Sequence, residues 1–172
     1  RTYNGIETVN ITTSGTSLMD GAHVLTATAA TETLNISGTG SLTLGNVTAD
    51  AINSTMTSGT LIMGTLQQVT NVQGGAEAMT VVGSTGADII SGGAGIDTIT
   101  SGAGNDTITL GDGADIYIVT SVTDAELDVI TDFTVGTDTL DINVALEPDD
   151  GTAIAAGALV AAEYIDVAAG AG

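Results

Sequence analysis

Residues 83–118 read GSTGADIIS, GGAGIDTIT, SGAGNDTIT and LGDGADIYI, which are four consecutive units of nine residues. Every unit has Gly at position four, Asp at position six and a large apolar residue at position eight. Three invariant columns at one short period indicate a structural repeat rather than chance. The columns are Gly86, Gly95, Gly104 and Gly113; Asp88, Asp97, Asp106 and Asp115; and Ile90, Ile99, Ile108 and Tyr117.

The residue types in each unit predict a tight turn followed by a short strand. Glycine readily adopts positive φ, so the first six residues can turn sharply with their carbonyls directed inward. The last three residues form a strand whose middle side chain faces the core. Two units then make one coil of 18 residues. This coil stacks Asp88 on Asp106 and Asp97 on Asp115, in strands about 4.8 Å apart.

Stacked carboxylates at this spacing favour a bound cation. Two of them repel by about 3 kcal/mol if the effective dielectric constant is about 20. A divalent cation between the coils would turn this repulsion into attraction, with turn carbonyls completing a shell of about 6–8 oxygen ligands. Calcium suits a flexible, carbonyl-rich site of this kind better than magnesium does.

The four units closely resemble the GGxGxDxUx nonapeptide of the RTX calcium-binding family. The resemblance implies a parallel β-roll with calcium in rows along both edges. It places one ion between Asp88 and Asp106 and another between Asp97 and Asp115. It also implies that the turn backbone contributes ligands at Gly83, Gly86, Gly92, Gly93, Gly95, Gly102, Gly104, Gly111 and Gly113.

The residues after the repeats predict a cap for the roll. DVITDFTVGTDTLDI, residues 128–142, reads as strand, glycine turn and strand, and therefore as a β-hairpin. Residues 152–169 are Ala-rich and predict one short α-helix. Segments similar to 128–142 commonly follow RTX repeats, which implies further calcium ligands there, although acids on a solvated face are an equal alternative. The weaker candidate ligands of this region and of the last repeat are Asp112, Asp124, Asp128, Asp132, Asp138 and Asp141.

Residues 1–73 lack the nonapeptide but also predict short strands with alternating apolar and polar residues. IETVNIT (6–12) and TETLNIS (31–37) are near copies that lie 25 residues apart. They predict a wider, metal-free parallel β-solenoid, with an antiparallel sandwich as the alternative. The expected fold is therefore all-β, in three segments: a solenoid over 1–73, a calcium-binding β-roll over 74–127, and a capping hairpin with a helix over 128–172.

Composition excludes several classes of function. The chain has 21 acidic residues and one basic residue, for a formal net charge of −20. Such a charge repels nucleic acid and anionic membranes. An apolar run long enough for a transmembrane helix is absent. The sequence contains one histidine, no cysteine, and neither an H-E-x-x-H nor a G-x-S-x-G motif, so we expect a protein that is not an enzyme.

Three functions are compatible with these features. The order of GIETVNI-like strands, nonapeptides, acidic hairpin and Ala-rich helix resembles the C-terminal part of S-layer proteins, which implies a calcium-dependent, self-assembling structural protein of the bacterial cell surface. It would leave the cell through the type I secretion machinery and fold outside it on binding calcium. The alternatives are the C-terminal folding module of an exported protease, lipase or toxin, and a segment of an RTX adhesin. In each case we expect the chain to be part of a longer protein.

Overall fold

The computed structural model describes residues 8–18, 33–68, 71–120 and 127–143. These residues form strands and turns, with no helix among them. Every strand pairing is parallel, and successive strands alternate between two seven-stranded sheets. This topology is a parallel β-solenoid. It confirms the predicted fold class and excludes the antiparallel sandwich for the described part of residues 1–73.

The odd-numbered strands form the first sheet, in the order β1-β3-β5-β7-β9-β11-β13. They are β1 (Thr8–Thr13), β3 (Thr33–Gly38), β5 (Ala51–Met56), β7 (Asn71–Gln73), β9 (Ile89–Gly93), β11 (Thr107–Gly111) and β13 (Val129–Ile130). The second sheet contains β2 (Thr16–Leu18), β4 (Ser41–Leu44), β6 (Thr60–Thr65), β8 (Ala78–Val82), β10 (Thr98–Thr100), β12 (Ile116–Val119) and β14 (Thr139–Ile142).

The register of the strands reproduces the sequence period. Thr98 pairs with Thr80 on one side and with Ile116 on the other, which is 18 residues in each direction. Thr33 pairs with Ala51, so coils of the same length already occur before the nonapeptides. The described parts of the two near copies stack directly on one another, from Thr8 on Thr33 to Thr12 on Ser37.

The core is a stack of aliphatic side chains, one from each coil. In the first sheet the stack runs through Leu34, Ile52, Val72, Ile90 and Ile108, all at most 1% exposed. The second sheet contributes a matching row, of which Ile99 and Tyr117 are the members within the repeats. The apolar position eight of each nonapeptide therefore faces inward, as predicted.

The segment after the repeats differs from its prediction. Both predicted strands exist, but they do not form a hairpin: β13 pairs with β11 in the first sheet, and β14 pairs with β12 in the second. Each strand satisfies the open backbone edge left by the preceding coil, which an antiparallel hairpin could do for only one sheet. Residues 128–142 thus add one more turn of the solenoid instead of a separate cap.

All three predicted segments contribute strands to the same two sheets, and the boundaries between them stay predictions. The Ala-rich helix predicted over 152–169 lies outside the described residues. Among the residues that are described, no helix is long and apolar enough to cross a membrane.

Candidate metal centre

The turns of the nonapeptides lie directly on one another along the solenoid. At Gly104, φ is +122°, and a Cβ would come within 2.7 Å of the backbone of Gly86, the matching residue one coil earlier. Only glycine allows both this backbone conformation and this close approach. The nine glycines predicted as turn ligands all lie in these turns or at the strand ends that lead into them.

The four position-six aspartates are buried in the stacked turns. Asp88, Asp97, Asp106 and Asp115 are at most 1% exposed. The Oδ1 atom of Asp106 accepts a hydrogen bond of 2.7 Å from the backbone N–H of Asp88, and Oδ1 of Asp115 accepts one of 2.8 Å from Asp97. The sequence prediction that these aspartates stack in pairs 18 residues apart is confirmed in the geometry.

The second carboxylate oxygen separates the aspartates into two groups. In Asp97, Asp106 and Asp115, Oδ2 is buried and has no hydrogen-bond partner. In Asp88, Oδ2 accepts the N–H of Ser84 at 2.7 Å. A buried, ionised oxygen without a donor is costly. Asp97, Asp106 and Asp115 therefore each need a partner that the described residues do not supply.

The stacked aspartates form a row of buried acids, and no positive charge compensates them among the described residues. The pKa of Asp97 is raised to about 6, chiefly by burial and additionally by the charges of Asp115 and Glu77. Burial likewise raises the pKa of Asp106 to about 6, with added repulsion from Asp128 and Asp88. The pKa of Asp115 is raised as well, again chiefly by burial. The row is therefore poised to take up protons or a cation.

Two of the weaker candidate ligands extend the acid rows into the last coil. Oδ1 of Asp128 accepts the N–H of Asp106 at 3.0 Å, and Oδ1 of Asp138 accepts the N–H of Asp115 at 3.2 Å. Their second oxygens are also bonded: Tyr117 and Ser101 hydroxyls donate to Asp128, and the Thr134 N–H donates to Asp138. Protein donors thus satisfy both carboxylates at the end of each row.

The remaining weaker candidates are placed differently. Asp132 accepts the N–H groups of Leu110 and Gly111 at 2.7 and 2.8 Å, so its carboxylate binds the backbone of the last nonapeptide. Asp112 and Asp141 are exposed. Asp124 lies outside the described residues. Calcium binding by any of these acids stays a prediction.

Sequence reasoning missed the clamp that Tyr117, Ser101 and Asp128 form. The Tyr117 hydroxyl lies 2.7 Å from both the Ser101 hydroxyl and Asp128 Oδ2. Burial and the bond to Asp128 raise the pKa of Tyr117, which keeps the phenol protonated as a donor. The sequence feature that could have indicated the clamp is Tyr117 itself, because it is the only position-eight residue with a hydroxyl group.

The residues present fit a hard cation such as calcium. Among the described residues, no three acidic or imidazole side chains converge on one point. Any ion must therefore be held by one or two carboxylates together with backbone carbonyls. The buried Oδ2 of Asp97 lies beside such a carbonyl: a Cβ at Gly92 would collide with both this atom and the carbonyl oxygen of Leu110. An all-oxygen set of this type is what calcium selects.

Comparison with known proteins agrees with this chemistry. Residues 82–117 match the family model of the RTX calcium-binding nonapeptide repeat, in four copies. No curated protein and no solved structure matches the chain. The segment from 82 to 117 therefore consists of RTX calcium-binding nonapeptide repeats, and the ion that such repeats bind is calcium.

Proposed function

We propose that the β-roll is a calcium-gated folding unit of a secreted bacterial surface protein. The observation that carries the proposal is the set of three buried Oδ2 atoms, in Asp97, Asp106 and Asp115, that have no donor. Without a cation these carboxylates oppose the stacking of coils. Bound calcium supplies the missing positive charge and accepts the carboxylate and carbonyl oxygens as ligands.

The consequence for the chain is a coupling of folding to metal concentration. In the unfolded chain the aspartates are solvated and well separated. In the folded roll they are buried one coil apart, so the folded state is disfavoured where calcium is scarce, as inside a cell. Extracellular modules bind calcium at about 10⁻⁴–10⁻³ M, so folding would follow export. Proteins with RTX repeats are typically secreted, which supports this order of events.

A calcium titration followed by far-UV circular dichroism tests the folding unit. We expect a coil-to-β transition at sub-millimolar to millimolar calcium, shifted to higher calcium by Asp97→Ala. A chain that has the same β-structure in excess chelator as in calcium would contradict the proposal.

For the complete protein we propose a structural role as a non-enzymatic S-layer subunit, with calcium also joining subunits through surface acids. Two features support this. The described part of residues 1–73 continues the same solenoid, with no helix or other fold inserted. Exposed acids such as Asp112 and Asp141 are available at the surface. The type I secretion machinery would be the export partner.

The alternative is a folding module whose partner domain is an exported protease, lipase or toxin, or a longer adhesin. Electron microscopy of the folded chain, with and without added calcium, distinguishes these functions. Calcium-dependent sheets or ordered arrays support the S-layer subunit. Monodisperse particles at all calcium concentrations would favour the alternative while leaving calcium-gated folding intact.

A further inference from the structure

Glu77 is an acid that the nonapeptide pattern does not account for. It lies in the turn between β7 and β8, outside the matched residues 82–117. Its side chain is 1% exposed, and both carboxylate oxygens are buried without a hydrogen-bond partner. Among the described residues, only Glu77 has two such oxygens, whereas the repeat aspartates have one at most.

The carboxylate of Glu77 is held inside its own turn. A Cβ at Gly75 would lie 2.6 Å from Oε2 of Glu77, so the acid folds back over this glycine. The same Cβ would lie 2.7 Å from the carbonyl oxygen of Met56 in the preceding coil, and a Cβ at Gly95 in the next coil would collide with the backbone carbonyl oxygen of Glu77. The carboxylate therefore lies beside a carbonyl of the preceding coil, while the backbone of Glu77 is stacked against the next coil.

Asp97 is the nearest repeat aspartate along the row, in the matching turn of the next coil. Its Oδ1 accepts the N–H of Met79 at 2.7 Å, which ties the two turns together, while its Oδ2 has no donor. The charge of Glu77 also contributes to the raised pKa of Asp97. Two buried acids with three unpartnered oxygens thus share one end of the row.

The sequence of the preceding unit suggests why the acid is displaced. In GGAEAMTVV (74–82), Met79 stands at position six, where the repeats have Asp, and its side chain is buried in the core. Glu77 stands at position four, where the repeats have Gly. The longer glutamate side chain, starting two residues earlier, can return a carboxylate to the turn that has lost its aspartate.

We propose that Glu77, with carbonyl oxygens of the turns stacked around it, binds a further calcium ion at the upstream end of the row. This site lies before the four matched repeats and extends the calcium-binding unit to residue 74. It rests on the proposed function, because it requires that the neighbouring turns bind calcium. Glu77 is then a metal ligand, and its buried charge is compensated by the ion.

The number of calcium ions per chain tests the site. Isothermal titration calorimetry and elemental analysis of the full chain would compare the unchanged protein with Glu77→Gln. Asp50→Asn is the matched control. It removes one charge from a half-buried acid outside the roll, and the new amide oxygen can still accept the bond from Gln68. We expect Glu77→Gln to bind one ion fewer and Asp50→Asn to bind the same number as the unchanged protein.

Three other outcomes are decisive. An unchanged ion count in Glu77→Gln would overturn the site while leaving the proposed function intact. If no variant, including the unchanged protein, bound calcium, the proposed function itself would fail. If Glu77→Gln lost all binding, the double variant Glu77→Gln/Met79→Asp would decide: recovery of the full ion count supports the site, and continued loss overturns it.

Discussion

Asp97 and Asp115 lie one coil apart, and the backbone N–H of Asp97 donates to Oδ1 of Asp115 at 2.8 Å while Oδ2 of each carboxylate stays buried without a donor. One oxygen of each acid therefore holds the coils together, and the other keeps them under electrostatic strain. This division is the physical basis of the proposed calcium-gated folding, and five predictions test it and the turns around it.

Asp97→Asn should make the calcium-free roll more stable and the calcium-bound roll weaker. The amide oxygen can still accept the Met79 N–H, while the buried negative charge is removed. We expect a gain on the order of 1–2 kcal/mol in chelator. Apparent calcium affinity should fall at least about tenfold, equal to about 1.4 kcal/mol. Urea unfolding in chelator and calorimetric titration measure the two effects; equal losses of stability with and without calcium would contradict this account.

Acid should stabilise the calcium-free roll. The pKa of Asp97 and of Asp106 is about 6 in the fold and 3.8 as the ordinary value, so the folded state binds protons more tightly than the unfolded state. The gain starts as the pH falls through about 6 and is complete near the ordinary value. Thermal melting in chelator between pH 7 and 4.5 should show a rising midpoint.

The same protons should oppose calcium. Apparent calcium affinity is expected to weaken below pH 6, because ion and proton compete for the same carboxylates. A melting temperature in chelator that fell steadily from pH 7 to pH 5 would contradict the assigned pKa shifts.

Gly104→Ala should destabilise the roll whether or not calcium is present. A Cβ there meets the backbone of Gly86 at 2.7 Å on a residue with φ of +122°, so the cost should be about 1–3 kcal/mol. Gly45→Ala is the matched control, because Gly45 is exposed, has no positive φ and has open space around its Cα. Its effect should stay within about 0.5 kcal/mol. Comparable losses at both positions would show that crowding of the stacked turns is not the cause.

Tyr117→Phe should loosen the last coil. The substitution removes the hydroxyl that donates to Asp128 Oδ2 and contacts Ser101, at a cost of about 1–2 kcal/mol for a partly buried bond to a charged group. A double-mutant cycle with Asp128→Asn, followed by urea unfolding in calcium, measures the interaction energy between Tyr117 and Asp128. Strictly additive effects would mean that the clamp does not couple the last coil to the repeats.

Much of this fold could be predicted from the sequence, because a solenoid repeats one local solution. The nine-residue period determined the coil length, the inward residue at position eight and the stacking of Asp88 on Asp106. The near copies at 6–12 and 31–37 predicted a parallel β-solenoid, and the parallel pairing of β1 with β3 agrees with it. The calcium chemistry followed from the same columns, since only their acids recur in step with the turns.

The tertiary structure decided what depends on contacts between coils. The sequence pattern of 128–142 is the same for a hairpin and for one more coil; the free edges of β11 and β12 selected the coil. Similarly, Asp88 and Asp97 occupy the same position of the repeat, yet only Asp97 keeps a carboxylate oxygen without a donor. Glu77 became a candidate ligand because the folded coils bury its carboxylate without a donor. A period specifies which residues stack, whereas the carboxylate oxygens left without a donor depend on contacts within a turn, such as Ser84 to Asp88, and between coils, such as Met79 to Asp97.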